Sequence, residues 1–113
     1  MKAKIFRGSV VLSKKGRDKG RVFVVLYMLD ADFAMICDGD LRKTAHLKKK
    51  KCLHLSVLPY QLTELTALAD QGRLKDIDVR KALNEVRAQL NYTTKGPVPA
   101  TIVSEEGRTF VQR

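Results

Sequence analysis

The stretch from residue 8 to residue 26 constrains the fold of this chain more than any other. It begins with a short β-branched run, Val10-Val11-Leu12, and ends with a longer one, Val22-Phe23-Val24-Val25-Leu26. Such runs favour β-strands, and the glycine-containing loop between them predicts a hairpin. Five cations of that loop would repel one another, so an anionic partner is expected to neutralise them. They are Lys14, Lys15, Arg17, Lys19 and Arg21, with Gly16 and Gly20 among them.

The first half of the chain predicts five short strands, at residues 8–13, 21–29, 33–37, 40–43 and 52–55. Asp38-Gly39, between the third and fourth, is the strongest hairpin signal of the chain and favours a type I′ turn. In the last strand Leu53 and Leu55 should point one way and His54 the other. Five short strands at this spacing favour a small, strongly bent barrel over an open sheet.

Beyond residue 58 the apolar spacing becomes helical. Pro59 suits a first helical position, and residues 60–69 place their leucines on one face. Gly72 suits the end of this helix, and Asp76 is a good N-cap for a second helix reaching residue 90. Each helix is too short to be stable alone, so the two are predicted to pack as a hairpin on the barrel. For the tail, residues 91–113, both a β-hairpin around Gly107 and a mobile segment remain open.

The net charge of +10 is concentrated in one half of the chain. Residues 1–58 contain 14 Lys and Arg against 5 Asp, a net charge of +9. The remaining residues contain 8 basic and 7 acidic side chains, a net charge of +1. A polyanion is therefore the expected partner of the first half, with nucleic acid ahead of an acidic membrane or protein surface.

A second basic segment lies between the Asp38-Gly39 turn and the last predicted strand, and is anchored at both ends. Its members are Arg42, Lys43, His46, Lys48, Lys49, Lys50 and Lys51. If both basic segments act together on ~6–10 phosphates, affinity should fall on the order of 10³–10⁵-fold between about 50 and 200 mM salt. Asp18 is expected to brace the first loop by pairing with Arg17, Lys19 or Arg21.

Catalytic and metal chemistry have little support in the sequence. It contains no nucleophile–base motif, P-loop or dinucleotide fingerprint, so no enzyme, cofactor or small-molecule substrate is predicted. Cys37, His46, Cys52 and His54 lack the paired spacing of a zinc site, so no metal is predicted. Both cysteines are expected to be free thiols in a reducing compartment. No apolar run spans a membrane or forms a signal peptide, so a cytoplasmic protein is expected.

The opening stretch resembles a KOW motif, in which a basic-Gly dipeptide separates a valine-centred strand from a second β-branched strand. Residues 8–13, Asp18-Lys19-Gly20-Arg21 and Val22-Phe23-Val24-Val25 hold those places here. Residues 33–53 look like the KOW-containing large-subunit ribosomal proteins of archaea and eukaryotes. They look still more like the small bacterial KOW-domain RNA-binding proteins, whose later helix is matched by Val79-Arg80-Lys81-Ala82-Leu83. The resemblance covers residues 5–88 and implies an SH3-like barrel that binds RNA.

The predicted fold class is therefore mainly β with appended helices (α+β). An SH3-like barrel at residues 1–58 is followed by a helical hairpin at 59–90 and the tail. The predicted protein is a ribosome-associated monomer that binds ribosomal RNA and contacts ribosomal proteins. The predicted RNA contacts are Lys14, Lys15, Arg17, Lys19, Gly20, Arg21, Arg42, Lys43, His46, Lys48, Lys49, Lys50 and Lys51. A protein-interaction module and a non-specific DNA-binding protein remain as alternatives.

The seven aromatic side chains do not interleave with the basic runs along the sequence. Phe23 and Phe33 are expected in the core, and Tyr27 fits either core or surface. Because aromatic side chains are the usual platform for unstacked bases, their separation favours recognition of the backbone and shape of folded RNA.

Overall fold

A computed structural model describes residues 4–90, 92–93 and 96–97 of this chain. These residues form an antiparallel five-stranded sheet, two α-helices and a short two-stranded ladder, an α+β fold that is mainly β as predicted. The strands are β1 (Ser9–Ser13), β2 (Val22–Met28), β3 (Phe33–Cys37), β4 (Lys48–Lys51), β5 (Leu55–Gln61), β6 (Tyr92–Thr93) and β7 (Gly96–Pro97). The helices are α1 (Thr63–Asp70) and α2 (Asp76–Leu90), and a 3-10 turn at Cys52–His54 precedes β5.

The large sheet has the strand order β4-β3-β2-β1-β5, so its two edges are strands that follow one another in the chain. In a flat sheet those edges would lie about 19 Å apart, at about 4.8 Å for each strand spacing. The four residue steps from Lys51 to Leu55 span at most about 14 Å. The sheet is therefore strongly curved, although β4 and β5 do not pair with each other among the described residues.

Both faces of the sheet are apolar. On one face Val10, Val24 and Leu26 pack against side chains of both helices, among them Leu65 and Leu83. On the opposite face a second cluster is formed by Val11, Phe23, Val25, Ala34, Ile36 and Leu55. Burial on both faces explains the uninterrupted apolar run of β2, since neither side of that strand meets water.

The predicted returning strand at residues 40–43 is wrong, because the strand that pairs with β3 is Lys48–Lys51. Asp38 holds the intervening loop: its carboxylate accepts hydrogen bonds from the backbone N–H groups of Asp40 and Arg42, at 3.0 and 2.8 Å. Gly39, with φ of 75°, fits against α2, and its carbonyl oxygen accepts a 2.8 Å bond from Arg80 Nη1. A Cβ at Gly39 would collide with the Asp76 carbonyl oxygen. These tertiary contacts replace the predicted two-residue turn.

The predicted boundary near residue 58 is also displaced. Pro59 lies inside β5 rather than at a helix start, and α1 begins at Thr63. A proline is tolerated there because β5 is an edge strand, in which one side needs no ladder hydrogen bond. The strand predicted at residues 52–55 is instead the 3-10 turn, and Leu53 is exposed.

The predicted start of α2 near Asp76 is confirmed. The prediction that Asp76 is the N-cap is wrong, because Asp76 is the first helical residue and its Oδ1 accepts a 2.7 Å hydrogen bond from the backbone N–H of Thr44 rather than from an N–H of the helix. Neither helix in the described part of the chain is long and apolar enough to cross a membrane. The β-hairpin considered around Gly107 lies outside the described residues.

Candidate nucleic-acid interface

The β1–β2 loop and strand β4 meet in space and combine the two predicted basic segments. Lys50 Nζ donates a 2.7 Å hydrogen bond to the carbonyl oxygen of Lys15, across 35 positions of sequence. The backbone N–H of Lys14 donates a 2.8 Å bond to the carbonyl oxygen of His54. These contacts bring Lys14, Lys15, Lys50 and His54 together into one positively charged surface. Lys51 follows Lys50 at the end of β4 and belongs to the opposite face of the sheet, but its charge acts on His54 and lowers the pKa of that side chain. We call this region the lysine cluster, and its members are Lys14, Lys15, Lys50, Lys51 and His54.

The lowered pKa of His54 reflects the positive potential of this cluster. Its pKa is lowered below 6.5, first by partial burial and then by repulsion from Lys15, Lys50, Lys51 and Lys14. A phosphate bound here would relieve that repulsion, since an opposite charge nearby favours the protonated imidazole. His54 was not among the predicted contacts. Its position three residues after Lys51 was the one sequence signal, and the approach of the β1–β2 loop depends on the fold.

Two of the predicted contacts, Arg21 and Arg42, form internal ion pairs. Arg21 Nη2 lies 2.8 Å from Asp38 Oδ2, and Arg42 Nη2 lies 3.1 Å from Asp18 Oδ2. Both carboxylates are buried. The predicted pairing of Asp18 with Arg17, Lys19 or Arg21 is therefore wrong, because its partner comes from the second basic segment. The Asp18–Arg42 pair fastens that segment to the β1–β2 loop, so Arg42 positions the lysine cluster while its own charge is compensated.

The remaining residues predicted to contact RNA differ in exposure and in their partners within the protein. Arg17, Lys19, Lys43 and His46 are exposed, and their side chains have no hydrogen-bond or ion-pair partner among the described residues. Gly20 adopts φ of 88° and donates its N–H to the Ser13 carbonyl oxygen at 2.9 Å, which closes the loop. Lys48 is half-buried on edge strand β4, where lysines also prevent pairing with other chains.

Cationic and aromatic side chains that are separated along the sequence lie close together on one face of the sheet. Tyr27 faces Met35 and Met35 faces Lys49 in neighbouring strands, while Phe33 faces Lys51. Lys49 Nζ lies 4.6 Å from the centre of the Phe33 ring. The expectation that Phe33 is a core residue is therefore wrong, since it lies half-exposed beneath a lysine. We call Tyr27, Phe33, Met35, Lys49 and Lys51 the aromatic platform.

A β-bulge in β2 places Tyr27 on this surface. The register between β2 and β3 shifts between Val25 and Tyr27, so Leu26 and Tyr27 both face the helix-covered side of the sheet. Leu26 enters the core beneath the helices, whereas Tyr27 lies beyond them and is exposed. Arg7 stacks on Tyr27 with Cζ 4.8 Å from the ring centre. The bulge thus places an exposed aromatic ring, covered on one side by Arg7, at this end of β2.

The two cysteines are free thiols, as predicted. Burial, with a smaller contribution from Asp38, raises the pKa of Cys37 to about 12. Burial and the charge of Asp32 also raise the pKa of Cys52. Within the described residues, no group of three or more His, Cys, Asp or Glu side chains is arranged to hold a metal ion.

No protein-family model matches the sequence, and a comparison with curated proteins finds no match. The KOW resemblance therefore stays a prediction, and the geometry of the lysine cluster and aromatic platform has to support any functional proposal.

Proposed function

We propose that this chain is a non-enzymatic RNA-binding protein that grips the phosphate backbone of structured RNA through the lysine cluster. The observation that carries the proposal is the Lys50–Lys15 contact, which gathers charges from two distant segments onto one surface. Lysines that are held close together, with few carboxylates or carbonyl groups of the protein to pair with, are suited to bind phosphates. Binding is favourable because neutralisation of the phosphates releases the counterions condensed on the RNA.

We further propose that the curved sheet is an SH3-like barrel of the KOW type, and that the target is ribosomal RNA in a cytoplasmic, ribosome-associated setting. Two edge strands joined by three residues support the barrel, because only a strongly coiled sheet permits that connection. The resemblance of residues 5–88 to KOW-containing proteins supports the ribosomal setting.

The aromatic platform favours structured RNA over duplex DNA. Loops and bulges of RNA present unpaired bases, which stack on aromatic rings and cationic planes. Duplex DNA keeps its base faces stacked and offers mainly phosphates to a basic surface. On the aromatic platform, Tyr27 and Phe33 can stack on unpaired bases of such an RNA, and Lys49 can contact its phosphates.

Titration of the full chain against a structured ribosomal RNA, a duplex DNA and an unstructured RNA tests this function. We expect the structured RNA to bind most tightly. If about four phosphates pair with the lysine cluster, its affinity should fall on the order of 100-fold between about 50 and 200 mM salt. This is less than the sequence alone suggests, because Arg21 and Arg42 are already paired. Fluorescence anisotropy across a salt series measures both quantities. Equal affinity for the three nucleic acids would contradict RNA recognition, and absence of the chain from sedimented ribosomes would contradict ribosome association.

RNA affinity should rise as the pH falls, because His54 takes up a proton in the complex. The pKa of His54 lies below 6.5 in the free protein, and bound phosphate raises it. Between those two values the complex holds more protons than the free protein, so the affinity rises by up to about tenfold for each pH unit of decrease. Below the free-protein value the effect levels off. Anisotropy titrations between about pH 8 and pH 5.5 measure it.

His54→Gln should remove most of this pH dependence, whereas His46→Gln, a matched change at an exposed histidine outside the lysine cluster, should keep it. An unchanged pH dependence in His54→Gln would contradict the placement of phosphate at the cluster.

A further inference from the structure

An open cavity of about 690 Å³ lies beside the lysine cluster, where the end of β2, the 3-10 turn and the start of β5 meet. Met28, Leu53, Leu55 and Val57 contribute to its largely apolar wall. Cavities that bind small ligands or parts of larger ones typically have volumes of ~300–1,000 Å³ and mainly apolar walls. The cavity therefore has the size and surface of a binding site.

Leu53 makes this cavity unlike an ordinary surface depression. It is 59% exposed and lies in the 3-10 turn between Cys52 and His54. An apolar side chain is thus held in water next to a member of the lysine cluster. Burial of such a side chain by a ligand is favourable, because it removes apolar surface from water.

The charges at the rim identify the kind of ligand. Lys14 belongs to the lysine cluster and also lines the cavity, and Lys4 lines it as well. Such a lining suits a ligand that combines a largely apolar group with adjacent negative charge. A nucleotide whose base has left the stack meets both requirements, since its phosphates reach the lysines while its base enters the cavity.

We propose that this cavity receives one unstacked base of the bound RNA, while the lysine cluster holds the neighbouring phosphates. The proposal rests on the RNA-binding function proposed above. Asp32 supplies a carboxylate to the lining, and this carboxylate has no hydrogen-bond partner among the described residues. A carboxylate accepts hydrogen bonds from the N–H groups of a base, among them the amino groups of adenine, cytosine and guanine.

Two hairpin RNAs that differ by a single bulged nucleotide test the proposal with the full chain. The bulged position carries 2-aminopurine, a fluorescent base with an amino group. We expect the bulged hairpin to bind about tenfold more tightly than the fully paired one, which corresponds to ~1.4 kcal/mol. Leu53→Ala should abolish this preference without changing affinity for the paired hairpin. Leu29→Ala is the matched control, because Leu29 is 56% exposed and does not line the cavity.

Alkylation of Cys52 gives a second readout that needs no variant. Cys52 is half-buried and lines the cavity, whereas Cys37 is buried in the core and should stay unmodified as long as the protein is folded. A base inside the cavity should slow the reaction of Cys52 with iodoacetamide, so the bulged hairpin should slow it more than the paired hairpin. Mass spectrometry after a fixed time measures the modification of each cysteine.

The outcomes separate this proposal from the proposed function. Equal affinity for the two hairpins, with equal alkylation of Cys52, would overturn the base cavity and leave RNA binding standing. Binding of neither hairpin would overturn both. An equal loss of affinity for both hairpins in Leu53→Ala would overturn the base cavity, because Leu53 would then support the binding of phosphates by the lysine cluster and not the binding of the bulged base. Protection of Cys52 by an apolar peptide and not by the bulged RNA would also overturn it.

Discussion

The triple substitution Lys14→Gln, Lys15→Gln and Lys51→Gln is expected to weaken RNA binding on the order of 100-fold at about 0.1 M salt. Each phosphate contact contributes about 0.9 to the slope of log affinity against log salt, so the slope should become shallower by about three. Lys50 is left in place because its Nζ fastens the β1–β2 loop to β4. Anisotropy titrations of structured RNA across a salt series measure the affinity and the slope together.

The matched control removes three positive charges elsewhere, with Arg73→Gln, Lys75→Gln and Lys81→Gln. These residues are exposed on or between the helices, and the change in net charge is the same. A general attraction between a basic protein and RNA would weaken both triple variants equally. That result would show that the lysine cluster is not the binding site, whereas a loss confined to the first variant supports it.

Asp38→Ala is expected to lower the free energy of unfolding by about 3 kcal/mol, because the half-buried Arg21 guanidinium loses its nearest carboxylate and keeps only the more distant Asp40. Asp38 is 2% exposed and lies 2.8 Å from the Arg21 guanidinium. Its other carboxylate oxygen accepts the N–H groups of Asp40 and Arg42, which would also lose their partner. Urea denaturation followed by circular dichroism measures the change.

Asp40→Ala supplies the comparison for this prediction. Asp40 lies 3.4 Å from the same guanidinium, but its side chain is 62% exposed. Solvent screening keeps such a surface pair below about 1 kcal/mol, so this variant should be nearly as stable as the natural chain. Similar destabilisation by both substitutions would contradict a special structural role for Asp38.

Basic residues that look alike in the sequence have different roles in the structure. Arg21 and Arg42 each pair with a buried carboxylate and hold the basic segments against the sheet. The lysines of the cluster lie on the surface thus formed, where they repel one another in the absence of a ligand. Internal pairing therefore organises the surface in advance, which reduces the ordering that the proposed RNA binding would require.

The local pattern of the sequence was sufficient to predict several elements of the fold. Phe33–Cys37 is the predicted third strand, the first two strands end within one residue of their predicted bounds, and α2 begins at Asp76. In these elements the apolar residues either recur at a regular spacing or form an uninterrupted run, and both patterns depend only on residues close together in the sequence. The concentration of charge in residues 1–58 likewise needs no structure to be seen.

Only the tertiary structure decided which basic residues meet and which are already paired. Four consecutive lysines have little preference for a strand, and Lys48–Lys51 becomes one because β3 offers an unpaired edge. Asp18 pairs with Arg42, 24 positions later in the sequence, and the Lys15 carbonyl oxygen accepts a hydrogen bond from Lys50, 35 positions later. Such pairings depend on the curvature of the whole sheet, which a local pattern does not encode. The sequence by itself therefore determined that the chain is basic and mainly β, and the fold decided where its charges lie.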